Sequence, residues 1–244
     1  MSSERSSLRT ALTTEQLDAL RTMDTCAVSN AIEATGVRLR NEGYMDATVR
    51  SLFPDLPPLV GYALPLLVRT TKPPVQGMRY VDSIDWAEHL LALPRPRVLV
   101  VQDERAEPRT GSFTGEVHAN VYRALGCTGV ITNGAVRDLP ALHAMSFHAF
   151  AAYVSVSHAY VHIVHVGKPV VVGGLTVHTG DLLHADRHGV VCVPLDIAAD
   201  LPAIADAQRR EEEKIIAFCR SANFSVRGLE QLLRRVQTER PLPE

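Results

Sequence analysis

The chain lacks an excess of charge of either sign. Its 25 Lys and Arg against 27 Asp and Glu leave a formal net charge of −2 over 244 residues, so it carries no electrostatic footprint of a nucleic-acid or anionic-membrane binder. Cysteine is scarce as well. Cys26, Cys127, Cys192 and Cys219 lie far apart with no C-x-x-C pair, and all four read as reduced thiols of a cytoplasmic protein. Long apolar runs are missing too. The most apolar stretch, 161–175, is interrupted by His162, His165, Lys168, Pro169 and glycines, and residues 1–9 have no apolar leader segment, which again fits a cytoplasmic location with no membrane partner. Three signatures are also absent: G-x-x-x-x-G-K-[ST], G-x-G-x-x-G and G-x-S-x-G. Their absence removes the sequence grounds for a phosphate-cradling nucleotide loop, a dinucleotide fold or a serine nucleophile elbow.

With 46% apolar and 21% charged residues, the chain can bury a full core, and one domain over residues 14–220 is expected, with a polar start at 1–13 and an extension at 221–244. A helix starts at Thr14 with Thr13 or Thr14 as its cap. A second, over 24–36, has Val28, Ile32 and Thr35 at helical spacing and stops at Gly36. Pro54, Pro57 and Pro58 mark a loop before strand-like 59–64 and 66–70, and a helix over 86–93 ends at Pro94. Strand 97–102, helix 115–126, strand 129–132, helix 138–145 and strand 149–156 then alternate, followed by β-rich segments at 161–166, 169–178 and 190–193. That order describes an α/β core with a β-rich second half. Residues 196–220 form one long charged helix, and 229–236 a short amphipathic piece.

The densest chemistry is the glycine-bounded turn Gly111, Ser112, Phe113, Thr114, Gly115 with Glu116 after it, and then Arg137 and Asp138. A glycine-rich loop feeding a helix N-terminus offers N–H groups and partial positive charge to an anion. Val117, Val121 and Leu125 form an apolar stripe on that helix, and an Asn133–Gly134 turn after strand 129–132 brings Arg137 and Asp138 to the same sheet edge. A carboxylate receptor, a cation and a metal-capable carboxylate then converge. Plainer readings stay open at this point: Asp138 is also a suitable N-cap for a helix through Leu139 and Pro140, and Glu116 suits a helix dipole without any catalytic duty. His158, His162, His165, His178, His184 and His188 complete no recognisable zinc spacing and read as polar edges of the β-rich region. Residues 173–191 read as tight turns between strands, with Asp181 and Asp186 bonding neighbouring N–H groups.

In order along the chain stand Gly115–Glu116, then Gly126, Gly129, Gly134, Arg137 and Asp138, then Lys168, Pro169, Gly173, Gly174, Gly180, Asp181, Asp186 and Gly189 before Pro194. With these motifs the chain resembles the RraA-like family over roughly residues 20–215. That family includes class II pyruvate aldolases acting on 4-hydroxy-4-methyl-2-oxoglutarate and 4-carboxy-4-hydroxy-2-oxoadipate, and the RraA regulators of ribonuclease E. The resemblance implies a swivelling β/β/α sandwich, single-domain, with a helical N-terminal section and a long C-terminal helix. It also implies homotrimers or homohexamers with sites between subunits.

For the site, the resemblance makes Asp138 the protein ligand of Mg²⁺ or Mn²⁺, places Arg137 on substrate oxygens, and gives the pyruvate carboxylate to backbone amides around Ser112, Phe113, Thr114 and Gly115. Glu116 occupies the family's acid position, and a neighbouring subunit's C-terminal helix adds an acid, Glu212 or Glu213. The implied reaction is metal-dependent cleavage of a 4-hydroxy-2-oxo acid to pyruvate, with oxaloacetate decarboxylation through the same enolate. The C4 hydroxyl proton goes to a water held by the metal or by an acid, with Glu116 nearby. Two positions depart from the family pattern. Ala141 stands where the regulators have an acid, which disfavours the alternative of a non-catalytic regulatory binding protein, and Asn30 stands where the family usually has Asp.

Overall fold

A computed structural model of the chain describes residues 11–76, 78, 80, 81, 85–104 and 111–239, so the expectation for 1–9 lies outside the described residues. Helix α1 (Thr14–Arg21) is opened by Thr13 in a capping box: the Thr13 hydroxyl accepts from Gln16 N at 3.3 Å, and the Gln16 side chain accepts from Thr13 N at 2.9 Å. Asp24 caps α2 (Thr25–Thr35) through Ala27 N at 2.7 Å, and Gly36, at φ 67°, ends it in the left-handed region that glycine enters without a Cβ clash. Both helices bury one stripe, Leu17 and Leu20 on α1 and Val28, Ala31 and Ile32 on α2.

After β1 (Arg50–Ser51) and the proline loop comes the long strand β2 (Leu59–Arg69), buried along almost its whole length. Helix α3 (Asp85–Leu91) precedes β3 (Arg97–Asp103); β4 (Ser112–Thr114) leads into α4 (Glu116–Ala124), β5 (Cys127–Val136), α5 (Leu139–Ala144) and β6 (His148–Val154). Strands β2, β3, β5 and β6 run parallel, and β4 adds a short parallel pairing to the far end of β5. Parallel strands covered on both faces need apolar side chains in both directions, and β3 supplies them: Leu99 and Val101 face one core, Val98 and Val100 the other. The first core is closed by α3, α4 and α5 through Trp86, Leu90, Tyr122 and Leu142. The second is closed by Met45, Val49 and a separate hairpin, β8 (Val170–Val172) with β9 (Leu175–Val177). The layers are therefore helix, sheet and hairpin.

The other edge of β2 changes partner along its length, from β10 (Leu182–Asp186) at Leu59 to Tyr62 to β7 (His162–Val166) at Leu66 to Arg69. Pro65, which has no N–H to donate, sits at the change-over, where a proline costs a strand least. This explains why the separate strands expected at 59–64 and 66–70 form one element. Strand β11 (Gly189–Val193) pairs with β10 and completes a nine-stranded sheet, against which α1, α2 and α6 (Leu201–Cys219) pack a third core. Helix α7 (Val226–Glu239) follows α6 and packs on it. Among the described residues no helix is long and apolar enough to cross a membrane.

Three local expectations are corrected. The Asn133–Gly134 turn is instead a bulge inside a continuous β5, because the Asn133 amide takes over ladder bonding, accepting from Asp103 N at 2.7 Å and donating to Asp103 O at 3.1 Å. Residues 173–191 contain the buried strand β10 as well as turns; Asp181 and Asp186 do bond the nearby amides of His178 and His188, each at 2.8 Å. Val117 and Val121 on α4 point outward, with 76% and 43% exposure, while Ala119 and Tyr122 fill the core.

His148, at the start of β6 and stacked near Phe150, is held down to about 4 by burial, which penalises the imidazolium. An unfolded histidine near 6.5 binds its proton first, so acid favours the unfolded chain as pH falls from about 6.5 toward 4. Urea unfolding at pH 7 and pH 4.5 is expected to show His148→Gln losing about 2 kcal/mol less stability than the parent over that interval. Equal losses would mean that His148 titrates alike in both states.

Candidate functional site

Because β4 and β5 are parallel, their C-terminal ends meet, and Arg137 N donates to Thr114 O at 3.0 Å where they do. Gly115 follows β4 as the N-cap position of α4 and supplies no side-chain acceptor to that helix. The acceptor comes from across the junction. Asp138 stands at φ 57°, ψ 39°, a left-handed conformation uncommon for a non-glycine residue. Its carboxylate does not cap α5, although it occupies that helix's N-cap position. It turns instead to α4, where Oδ2 accepts from Glu116 N at 2.9 Å. Arg137 Nε lies 3.5 Å from the same oxygen, and the two side chains keep 35% and 39% of their surface open. A Cβ on Gly115 would stand 2.5 Å from Asp138 Oδ2 and 2.9 Å from Arg137 Nε, so only glycine lets the pair approach the helix end.

The structure thus brings Gly115, Glu116, Arg137 and Asp138 together. Ser112, Phe113 and Thr114 lie in β4 with their side chains buried. Ser112 N is taken by Ser157 O at 2.9 Å and its hydroxyl by Thr114 O at 2.8 Å. In the first turn of α4, Val117 and His118 have N–H groups with no side-chain acceptor among the described residues, which leaves them for an anion. The Glu116 carboxylate is exposed and forms no ion pair among the described residues. Behind the loop, Thr70 donates to Asp103 Oδ2 at 2.6 Å, and Gly111 packs directly on Thr70.

His118 is a site neighbour that the sequence reading passed over. Its ring packs beside those of Phe113 and Tyr122, with centroids 5.5 and 5.9 Å away. Loss of water against those rings, and then the nearby Arg137 and His158, hold it below its ordinary value. It is therefore an uncharged, base-capable imidazole near the guanidinium at neutral pH. The signal for it was its place two residues after Glu116 on the helix that the glycine loop opens.

The other histidines are dispersed. His184 is fully buried, with Nε2 donating to Leu20 O and Nδ1 accepting from Thr25 Oγ1, both at 3.0 Å, and burial lowers its proton affinity. Asp186 fastens the start of α2 by accepting from Thr25 N at 2.9 Å. Among the described residues no three His, Cys, Asp or Glu side chains cluster for a metal. A hard cation that retains most of its waters asks for less. At Asp138 one oxygen is anchored to the helix and the other has no partner among the described residues, a donor that suits a hard divalent cation bound largely by water.

Glu212 and Glu213 lie on α6, which packs on α2. Arg209 Nη1 holds Glu213 at 3.2 Å, whereas Glu212 lines a cleft of about 570 Å³ shared with Cys26 and Asn30.

Residues 25–192 match the RraA-like family, described as Aldolase/RraA. The chain belongs to this family. One curated relative, from Halalkalibacterium halodurans and named "Putative 4-hydroxy-4-methyl-2-oxoglutarate aldolase", is 27% identical over 100 residues, which is 41% of this chain and 47% of that protein. Protein DlpA of Legionella pneumophila is 24% identical over 131 residues, 53% of this chain and 21% of DlpA. The chain therefore spans less than half the length of each curated relative. Two solved structures share the RraA-like fold. A Pseudomonas syringae protein of uncharacterised function superposes with a TM-score of 0.69 at 24% identity, covering 93% of this chain and 96% of its own. Streptomyces coelicolor RraAS2, described as an unusual member of the ribonuclease ES inhibitor RraA family, gives 0.65 at 21% identity, covering 84% and 96%.

Proposed function

We propose that the chain is a divalent-metal-dependent pyruvate aldolase that cleaves a 4-hydroxy-2-oxo acid such as 4-hydroxy-4-methyl-2-oxoglutarate and also decarboxylates oxaloacetate. The observation that carries this reading is the Asp138 carboxylate, held in a left-handed conformation between the start of α4 and Arg137 with its second oxygen open. Backbone strain of this kind concentrates where function requires a side chain to be aimed. Asp138 would hold a Mg²⁺ or Mn²⁺ ion, which would supply positive charge to a developing enolate oxygen. Arg137 pairs with the 2-oxo oxygen, and the free amides at the start of α4 take the substrate carboxylate beside Gly115. The C3–C4 bond breaks with its electrons moving to C3, the C4 hydroxyl proton leaves to a water near Glu116, and C4 becomes a carbonyl. Protonation of the enolate at C3 then completes pyruvate. Oxaloacetate reaches the same enolate by losing CO₂.

The reading extends to assembly. Val117 and Val121, exposed on α4 next to Glu116, suit a subunit contact in a homotrimer or homohexamer. Glu212, which has no ion-pair partner among the described residues, then becomes the acid offered to a neighbouring site, since Glu213 is engaged by Arg209. Ala141, in the first turn of α5, leaves no acid at the position the regulators use.

The decisive assay is pyruvate release from 4-hydroxy-4-methyl-2-oxoglutarate and from oxaloacetate with Mg²⁺ and with EDTA. Metal-dependent release from either supports the reading. A folded oligomer that releases none from both would overturn it in favour of a binding protein. A second expectation is steric: Gly115→Ala should displace Asp138 or Arg137 by an ångström or so and lower kcat/KM about 100-fold. Unchanged kinetics would separate the pair from catalysis.

A further inference from the structure

The end of the sheet opposite Asp138 carries a second concave surface, a cleft of about 540 Å³ that opens where β3, β5 and β6 begin. Pro57, Pro58, Met145 and Phe147 give it apolar walls, and among the described residues no Asp or Glu lines it. Three guanidinium groups do: Arg21, Arg95 and Arg123. Arg21 is engaged by Asp18. Arg95 and Arg123 have no carboxylate partner among the described residues.

A fourth cation stands behind them. Arg97 is 6% exposed, and its guanidinium donates to the carbonyls of Leu91, Leu93 and Leu125, so its charge is hydrogen-bonded but not neutralised. Arg95 Nε and Arg97 Nη1 lie 2.7 and 3.1 Å from the point where a Cβ on Gly126 would stand, so the two cations flank one glycine. Burial chiefly, and then the charge of Arg95, make Arg97 easier to deprotonate than an ordinary guanidinium. On a chain whose net charge is −2, this is a concentrated positive field, and apolar walls focus it onto whatever occupies the cleft. Thr128 and Ser146 add hydroxyls at its edge, and Ser146 is held at φ 53°.

We propose that this cleft is a binding site for a small organic anion with at least two negative charges, phosphoryl or carboxylate, gripped by Arg95 and Arg123 while its apolar part lies on Pro57, Pro58 and Phe147. Guanidinium forks match the paired oxygens of either group. The site is separate from the Asp138 junction. Helix α4 starts at the junction and carries Arg123 in its last turn. At about 1.5 Å per residue that helix puts roughly 10 Å or more between the two, so one small substrate does not span both. The assignment is independent of the aldolase reading.

The test is titration calorimetry of the full chain in metal-free buffer, with pyrophosphate and with citrate as separate probes. At least one is expected to bind with a Kd below about 1 mM, to bind equally well to Arg137→Ala, and to weaken about tenfold or more in Arg95→Ala/Arg123→Ala. Binding of pyrophosphate alone assigns a phosphorylated ligand, citrate alone a polycarboxylate, and both a site that reads charge without distinguishing the groups. Arg123→Glu, an exposed change in the last turn of α4, gives the same reading should the double variant fail to fold. The proposal is overturned if neither probe saturates, if binding survives loss of both arginines, or if Arg137→Ala abolishes it.

Discussion

Asp138→Ala is expected to remove metal-dependent pyruvate release, a fall of at least about 10³-fold in kcat, while leaving a folded chain. On the proposed reading the carboxylate does two separable things. Through Oδ2 it caps α4 at Glu116 N, and through its open oxygen it offers the negative charge that a divalent cation requires. Capping is worth about 1 kcal/mol, a shift of roughly 2–4 °C in Tm for a chain of this size. Asp138→Asn separates the two roles. Asparagine tolerates the left-handed conformation and still offers an oxygen to Glu116 N, so Tm should hold, yet the charge is gone and activity should fall nearly as far as in the alanine variant. Melting curves and initial rates for both variants decide it. An asparagine variant that keeps more than about a tenth of parental turnover would mean that the carboxylate serves only as a cap.

The same residue shows where reading a sequence stops. Arg137 and Asp138 stand out as an adjacent cation and anion, and the glycine-bounded loop before Glu116 stands out as an anion receptor. That they meet follows from the parallel pairing of β4 with β5. The direction of the Asp138 side chain does not follow, because a left-handed φ at a position suited to capping α5 swings the carboxylate onto α4 instead. On α4 itself two stripes fit a 3.6-residue period. Val117 and Val121 are the more hydrophobic pair, but Tyr122 has Trp86, Phe113 and Phe147 to pack against, ring centroids 5.3 to 6.3 Å away, and those partners come from distant segments that local periodicity cannot register. The valines are left outside, next to Glu116. Strand β10 escaped notice for a related reason: its His184 and Asp186 look like turn residues, and they are buried because Thr25 and Leu20, some 160 residues earlier, supply their hydrogen-bond partners. The cap at Thr13, the stop at Gly36 and the apolar run of β3 were legible because their partners lie within a few residues or because both faces are uniformly apolar.

The largest effect on stability is expected at Arg97, far from the chemistry. Arg97→Met keeps the length and much of the apolar stem, yet it removes four hydrogen bonds of 2.6 to 3.1 Å to the carbonyls of Leu91, Leu93 and Leu125. Those carbonyls close α3 and α4, and helix ends depend on outside donors for such groups. Each acceptor left without a partner in a buried setting costs about 1–3 kcal/mol, and three of them together give about 3–5 kcal/mol after partial hydration at the cleft edge. The urea midpoint should fall with an unchanged m-value, since the unfolded chain exposes the same surface. A loss below about 1 kcal/mol would show that water already reaches these carbonyls in the folded state. Arg97→Lys should recover little, because one ammonium cannot reach carbonyls from two helices at once. Helix α4 is held at one end by Asp138 and at the other by Arg97, so the two substitutions act on the same helix with opposite signatures: Asp138→Asn removes turnover and spares stability, and Arg97→Met lowers stability while the residues at the Asp138 junction stay in place.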